Sequence, residues 1–274
     1  MIRFRHRTHE LRKSKLVVRS VRKEPAGDFD YEIGGQGYSS IRRPEPRFAD
    51  EIRRALGDAR SLINVGAGAG SYEPTDMDVT PIEPSASMRA QRPSHLTPAI
   101  DAVAEELPFA DKVFDAALAT VTIHQWRDLA TGLAELRRVT RGNVVIMTFD
   151  PEELEKFWLG EFSPALMTYE AGRMPALAKV TELLGGTSHV KNLPIPFDCE
   201  DGFAESYFGR PEAFLDERVR RSQSAWGFLS NEDEIAAVRA LQTGLDDGSW
   251  DARHGHLRRQ HEYHGALRLI TALP

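Results

Sequence analysis

Three glycines stand at alternate positions directly after a short apolar run, in the stretch "NVGAGAG" over residues 64–70. Gly66, Gly68 and Gly70 allow the backbone to turn sharply, and they let a ligand approach without meeting Cβ atoms. The spacing is G-x-G-x-G, whereas the G-x-G-x-x-G of dinucleotide-binding folds requires glycine where this chain has Ser71. The loop alone indicates that a ligand or another part of the chain lies close to this backbone, and it does not identify the ligand.

A carboxylate follows the loop at a separation typical of nucleotide-binding folds. Glu83 ends the next predicted strand, about 20 residues further on, where an acid can accept hydrogen bonds from ribose hydroxyls. The alternative is a solvated carboxylate at the end of a strand. Taken together, the glycine loop and Glu83 predict a ligand that contains adenosine.

Few other side chains have the type and spacing for chemistry. His124 follows the fourth predicted strand and titrates near neutrality, so it is the first candidate for a general base; cofactor positioning or packing near Trp126 is the alternative. The histidines of "RHGHLRRQHEYHG" lie among arginines and lack the spacing of a zinc site, which favours a polar helix or turn and no metal. Cys199 is the one cysteine and indicates a buried or incidental thiol.

The arginines of "IRRP" leave two interpretations open. Arg42 and Arg43 either contact an anionic acceptor or lie on the surface, and the surface is the favoured interpretation.

Alternating apolar patterns predict the elements that position these residues. The predicted strands are "SLINVGA", "DVTPIEP", "AIDAVAEELPF", "VFDAALATV" and "NVVIMTFD", and the predicted helices among them are "RFADEIRRALGD" and "RDLATGLAELRRVT". Because strands and helices alternate, we expect a parallel sheet covered by helices. "SYEPTDMD" contains Pro74 and is too short and polar for a regular helix after the glycine loop.

The pattern changes at Asp150-Pro151. From there to about residue 186 the chain predicts helices rich in aromatic residues and methionine, and "GALRLITAL" predicts a last strand. An insertion after the fifth strand lies at the edge where open α/β sheets bind ligands. We therefore expect an apolar pocket beneath it.

Composition excludes several classes of protein. The 274 residues carry a net charge of −6, although residues 1–24 hold nine Lys/Arg against two Glu. The acidic body disfavours a nucleic-acid groove, and no apolar run is long enough to span a membrane. Residues 1–27 predict a basic, disordered arm rather than a secretory signal, and a cytoplasmic location follows as the expectation; the oligomeric state stays open.

Four successive motifs resemble those of the class I S-adenosylmethionine-dependent methyltransferases, in particular the type 11 branch of small-molecule enzymes. They are "NVGAGAG", "VTPIEPSASMRAQRP", "AEELPFADKVFDAALATVTIHQW" and "LAELRRV", and the resemblance covers roughly residues 28–150. It implies an α/β fold with a Rossmann-like, doubly wound, seven-stranded sheet whose last strand is antiparallel. The residues after Asp150 add the expected helical insertion after the fifth strand. The resemblance also implies S-adenosylmethionine as the cofactor and a small molecule as the partner.

The resemblance carries over to individual positions. Gly66, Gly68 and Gly70 match the loop beside the methionine part of the cofactor, and Glu83 matches the ribose-binding acid. The remaining positions that match cofactor-contacting residues are Tyr38, Pro84, Ser85, Met88, Ala104, Glu105, Thr120 and Val121. The common pattern has Asp one residue before the Ala, where this chain has Val103, so Glu105 or main-chain groups are expected at the adenine amino group instead.

The expected organisation has four parts: the arm over 1–27, a cofactor-binding core over 28–150, a cap with late sheet elements over 151–260, and a C-terminal strand over 261–274. The expected function is methyl transfer to O, N or C of a small acceptor, with His124 as the candidate base. One alternative is a protein that binds S-adenosylmethionine or S-adenosylhomocysteine without catalysis. The other is a nicotinamide-dependent oxidoreductase.

Overall fold

The structure is a computed structural model and describes residues 41–274. The basic arm over 1–27 and Tyr38 lie outside the described residues. The strands are β1 (Ser61–Val65), β2 (Asp78–Ile82), β3 (Ala116–Thr120), β4 (Val144–Phe149), β5 (Ser188–Asn192), β6 (Ile195–Pro196), β7 (Glu262–Tyr263) and β8 (Leu267–Ala272). The α-helices are α1 (Pro46–Leu56), α2 (Ala86–Ala90), α3 (Leu129–Val139), α4 (Pro151–Leu154), α5 (Pro164–Arg173), α6 (Leu177–Leu184), α7 (Glu217–Arg221), α8 (Asn231–Asp246) and α9 (Ser249–His254).

The main sheet has the order β2-β1-β3-β4-β8-β5. The four strands β2, β1, β3 and β4 are parallel, while β8 runs antiparallel to both β4 and β5. The expected mixed sheet with an antiparallel last strand is therefore confirmed. Between residues 41 and 274 this sheet has six strands, not the seven expected.

The missing strand is the one expected in "AIDAVAEELPF". It makes a single parallel bridge between Ile100 and Ile82, at the edge of the sheet. Ile100 N donates to Pro81 O, but Pro81 has no N–H with which to continue the ladder. The sheet edge therefore ends in a loop rather than in a seventh strand.

Both faces of the sheet are buried, as a doubly wound fold requires. Leu62 faces the layer that contains α1, whereas its neighbour Ile63 packs in the layer of α3 and α6. This alternation follows from the two-residue period of a strand. The short, apolar parallel strands are therefore core elements that hold their carboxyl ends in fixed positions.

The described chain after β4 is mostly helical before it returns to the sheet as β5, as the aromatic-rich sequence predicted. Its large side chains Phe157, Trp158 and Trp250 are buried in the same core as α1. Trp158 lies edge-on to Trp250, with ring centroids 5.3 Å apart. The aromatic residues therefore pack the roof above the carboxyl edge of the sheet. Within residues 41–274, no helix is both long and apolar enough to cross a membrane.

Candidate active site

The glycine loop begins where β1 ends, and two of its amides fix it to the neighbouring strand. Gly66 N and Ala67 N both donate to Ile82 O, each over 2.9 Å. Gly66 has a φ of 74°, and a Cβ at this position would lie 2.1 Å from Thr122 Oγ1. Glycine is therefore required at residue 66 both for its backbone conformation and for its close approach to the end of β3.

Glu83 lies directly beneath this loop. One carboxyl oxygen accepts a hydrogen bond from Gly68 N and the other from Ser85 N, each over 2.8 Å. The residue is 7% exposed. Burial raises its pKa, and the two amide hydrogen bonds oppose that effect. Each oxygen keeps a further lone pair, so the carboxylate can accept ribose hydroxyls in addition to the loop amide.

The turn after Glu83 lies beside the same loop. Pro84 connects Glu83 to Ser85, which caps α2 because its hydroxyl accepts a hydrogen bond from Met88 N over 3.2 Å. Met88 is buried, and its Cε lies 3.4 Å from the Cβ position of Gly68. The structure thus brings together the glycines, Glu83, Ser85 and Met88.

A buried ion pair supports the loop from behind. Arg92 Nη2 lies 2.8 Å from Glu73 Oε2, and the two side chains are 4% and 2% exposed. Arg92 also approaches Gly68 O at 3.4 Å, and Asn64 donates to Glu73 over 3.0 Å. This pair was not predicted from the sequence, in which Glu73 and Arg92 both follow the loop and lie 19 residues apart.

Ala104 and Glu105 occupy the loop that replaces the expected third strand. Ala104 is buried, and its Cβ lies near Gly132, over which the Trp126 ring packs. Glu105 is half-buried, and its Oε1 accepts a hydrogen bond from Asp128 N over 3.1 Å. That bond fixes the loop to the start of α3.

Thr120 ends β3, and Val121 follows in a conformation unusual for its type. Val121 has a φ of 49°, the left-handed region that a β-branched residue rarely adopts. Its amide donates to Met147 O over 2.7 Å, which helps to hold it there. Such strain at the end of a central strand is typical of a functional position.

Val121 and His124 line a cavity between the sheet edge and the helical roof. The cavity contains about 620 Å³ of space, part of it open to solvent. Its apolar wall consists of Val121, Phe149, Leu154, Leu166, Met167, Phe203, Ala204, Ala225 and Trp226, and its polar residues are Arg42, His124, Gln125, Glu170, Glu205, Gln223 and Ser224. Apolar and aromatic walls with a few polar groups are typical of a small-molecule site.

His124 enters this cavity from a short 3-10 turn over Ile123–Gln125. Burial lowers the pKa of its imidazole well below the usual range, and the charges of Arg173 and Arg42 act in the same direction. Nε2 lies 3.3 Å from the side-chain nitrogen of Gln125, while Nδ1 is buried without a hydrogen-bond partner. The ring is therefore neutral at physiological pH and retains hydrogen-bonding capacity.

Arg42 lines the cavity and Arg173 lies behind the lining residues Glu170 and Ser224, and both arginines are held in ion pairs. Arg42 Nε lies 2.5 Å from Asp201 Oδ1, and Arg173 Nη1 lies 2.9 Å from Glu170 Oε2. Arg42 is thus a cavity residue rather than the surface residue that the sequence favoured. Its neighbour Arg43 is exposed.

Two further cavity residues were missed in the sequence because they lie far from the recognised motifs. Glu205 is fully buried, and Trp226 has an indole N–H without a hydrogen-bond partner. No local sequence pattern points to either residue, since their positions depend on how the chain after β4 folds back over the sheet.

The remaining candidates contribute no site. Cys199 is buried, and burial raises the pKa of its thiol to about 12. His254 and His264 lie near the carboxylates of Glu161 and Glu262. Over residues 41–274, no group of three His, Cys, Asp or Glu side chains is placed to hold a metal ion.

Comparisons with known proteins agree with this geometry. A family model described as a methyltransferase domain matches residues 63–148. The malonyl-[acyl-carrier protein] O-methyltransferase of Pseudescherichia vulneris is 26% identical over 220 residues, which cover 76% of this chain and 74% of that protein.

Two solved structures extend the comparison. A protein of Anabaena variabilis, assigned as a methyltransferase from an antibiotic biosynthesis pathway, is 26% identical with a TM-score of 0.79, and the match covers 85% of this chain and 98% of that one. A Thermotoga maritima S-adenosylmethionine-dependent methyltransferase, suggested to be a histamine N-methyltransferase, shares the fold at 15% identity and a TM-score of 0.53, with coverage of 89% and 96%.

The sheet order, the glycine loop and the buried acid at the next strand end define a Rossmann-like methyltransferase fold. With the methyltransferase-domain match over residues 63–148, the chain is an S-adenosylmethionine-dependent methyltransferase.

Proposed function

We propose that this enzyme transfers the methyl group of S-adenosylmethionine to an uncharged, largely apolar small molecule that occupies the cavity beneath the helical roof. The observation that carries this proposal is the cavity itself, which reaches the end of β3 at Val121 and His124. A substrate held there lies beside the residues that match the methyl-donor end of the cofactor site.

The residues around the glycine loop fit the cofactor. Gly66, Gly68 and Gly70 adopt positive φ and carry no Cβ atoms, and Glu83 supplies a buried carboxylate at the base of the loop. We assign the methionine part of the cofactor to this loop and the ribose to Glu83. Pro84, Ser85, Met88, Ala104 and Glu105 are assigned to the adenosine, and Thr120 and Val121 to the methionine part. Tyr38 lies outside the described residues and stays a predicted cofactor contact. The division into a core over 28–150, a cap over 151–260 and a final strand over 261–274 belongs to the same proposal.

The bound cofactor supplies an activated methyl group whose sulfur leaves as a neutral thioether. The chain orients the acceptor and excludes water. Val121, held at a strained φ, fixes the end of β3 against the cavity. The buried, neutral His124 either accepts a proton from an O–H or N–H acceptor or positions the ligand.

The ion pairs favour an uncharged acceptor. Because Arg42 is paired with Asp201 and Arg173 with Glu170, the cations at the cavity are already neutralised. A carboxylate acceptor would have to compete with these pairs in a partly buried setting. The malonyl group named for the Pseudescherichia relative is therefore disfavoured here, and a neutral ring compound fits the aromatic wall better.

The test is turnover with S-adenosylmethionine labelled in its methyl group. A panel of phenols, amines, ring ketones with an acidic C–H, and carboxylates separates O-, N- and C-methylation and tests the charge preference. We expect label transfer to uncharged ring acceptors. Cofactor binding with no transfer to any acceptor would favour a non-catalytic binding protein instead.

Comparing His124→Ala with the unmodified enzyme separates the two roles of the histidine. A loss of turnover with unchanged cofactor affinity supports the base. If weakened cofactor binding accounts for the whole loss of rate, the base assignment is wrong.

The proposed partners and location follow the composition. The acidic charge of the chain after residue 24 argues against a nucleic-acid partner. A single cysteine cannot form an intramolecular disulfide, the bond typical of proteins in oxidising compartments. We therefore place the enzyme in the cytoplasm, acting on a small molecule without a membrane partner.

A further inference from the structure

One buried carboxyl at the cavity has no part in the proposed methyl transfer. Glu205 is 0% exposed and lies in the 3-10 turn over Ala204–Tyr207. It lines the cavity together with Phe149 and Leu154, at the end of β4 and the helix that follows it. Burial of a carboxyl group in such an apolar wall costs free energy unless the group is hydrogen-bonded.

The contacts of Glu205 use the lone pairs of the carboxyl and not its acid hydrogen. Both oxygens lie 3.0 Å from Ala266 N, which donates to them. The preceding Gly265 permits this approach, since a Cβ there would lie 2.3 Å from Oε1. When the carboxyl is protonated, its O–H therefore remains free of these two bonds.

The surroundings keep the carboxyl protonated at neutral pH. Burial raises the pKa of Glu205 to about 8, the carboxylates of Glu153 and Asp150 raise it further, and the Arg268 guanidinium and the Ala266 amide oppose them. Arg268 lies 3.2 Å from Asp150 Oδ2, so part of its charge is neutralised. Tyr263 also faces Glu205, and burial together with this carboxyl raises the pKa of its phenol.

We propose that Glu205 is a specificity-determining residue that donates a hydrogen bond from its carboxyl O–H to an uncharged oxygen of the methyl acceptor, such as a ring carbonyl. This rests on the proposed function, because it requires the acceptor to occupy the cavity. A site built around a buried donor rejects analogues that lack the matching oxygen, since the donor would then stay unpaired.

The test uses two ring compounds of similar size, 1-tetralone with a carbonyl and tetralin without one. Binding of each to the full chain loaded with S-adenosylhomocysteine is measured by calorimetry between pH 6 and pH 9. We expect about a tenfold preference for tetralone at pH 6 that declines as the pH rises through about 8, because ionisation removes the donor.

Variants separate this role from a structural one. Glu205→Gln keeps an acceptor for Ala266 N and a donor for the ligand, so the preference should persist and lose its pH dependence. Glu205→Leu should abolish the preference. Glu153→Gln removes a neighbouring charge outside the cavity wall, and should shift the midpoint of the decline to lower pH while the preference at pH 6 stays.

Three results would overturn the proposal: an equal preference in Glu205→Leu, a preference that does not change with pH in the unmodified enzyme, or no binding of tetralone at millimolar concentration. Each is read in protein shown to bind S-adenosylhomocysteine. Failure to bind S-adenosylhomocysteine would instead contradict the proposed function, so the two failures are distinguishable.

Discussion

Tyr72 Oη donates a hydrogen bond to Asp201 Oδ2 over 2.8 Å, although the two residues lie 129 positions apart. Tyr72 follows the glycine loop with a φ of 64°, and its oxygen also accepts a bond from Glu45 N. Asp201 in turn accepts a hydrogen bond from Arg42, which lines the cavity. A buried polar network thus joins the glycine loop to the cavity beneath the helical roof.

Tyr72→Phe tests this network. The substitution leaves Glu45 N and one oxygen of Asp201 without their buried partner, so we expect a loss of about 1–3 kcal/mol in the free energy of unfolding. Urea denaturation measures it. Tyr169→Phe is the matched control, because Tyr169 is 51% exposed and should change stability by no more than about 0.5 kcal/mol. Equal effects in the two variants would show that the network contributes nothing.

Gly66→Ala tests the close approach of the glycine loop to β3. We expect the substitution to lower the free energy of unfolding by about 2–4 kcal/mol, because the added Cβ meets a left-handed φ and clashes with Thr122. Gly248→Ala is the control, since Gly248 has the same φ of 74° but no atom within 4 Å of the added Cβ. It should cost about 1 kcal/mol. If both variants unfold at the same urea concentration, the contact with Thr122 does not constrain the loop.

The raised pKa of Glu205 predicts that the free energy of unfolding depends on pH. Its pKa is about 8 in the folded protein and 4.5 is the ordinary value, so the folded state binds the proton more tightly. Its stabilising contribution is complete below the ordinary value and is lost as the pH rises to about 8, at about 1.4 kcal/mol per pH unit. Glu205→Gln should remove this slope and gain stability relative to the unmodified enzyme as the pH rises. Parallel stability curves for the two proteins would contradict the raised pKa.

His124 should stay neutral across the physiological range. Because burial and two arginines lower its pKa, its ring protons should show no titration by NMR between pH 6 and pH 8. The spectrum of His124→Ala assigns the resonance. A midpoint near the ordinary histidine value would show that the imidazole is open to solvent and is not held as described.

The sequence predicted the part of the fold that is local. The buried strands, the glycine loop and Glu83 follow from short patterns, and the structure places them together as expected. The prediction of a strand at Ile100 was wrong because it rested on the apolar pattern of that segment alone. The neighbouring strand β2 contains Pro81, which interrupts the hydrogen-bond ladder. The missing helix after the glycine loop was foreseen from the proline and polar residues there.

The acceptor side of the site was harder to predict, for a physical reason. Glu205 and Trp226 reach the cavity through long-range packing of the chain after β4, which no local period encodes. The sequence favoured the surface for Arg42, since no local pattern indicates its ion pair with Asp201, which lies 159 positions away. The roles of His124 and of the individual cofactor contacts stay predictions.

Recognition of a sulfonium cofactor by the glycine loop and Glu83 is measured by calorimetry of the unmodified enzyme and Glu83→Gln with S-adenosylmethionine, S-adenosylhomocysteine and NAD. Glu182→Gln, an exposed carboxylate on α6, serves as the control. We predict binding of both sulfur compounds, a loss of about 10–100-fold in affinity in Glu83→Gln alone, and no binding of NAD. Tight binding of NAD without any response to the sulfur compounds would contradict the account.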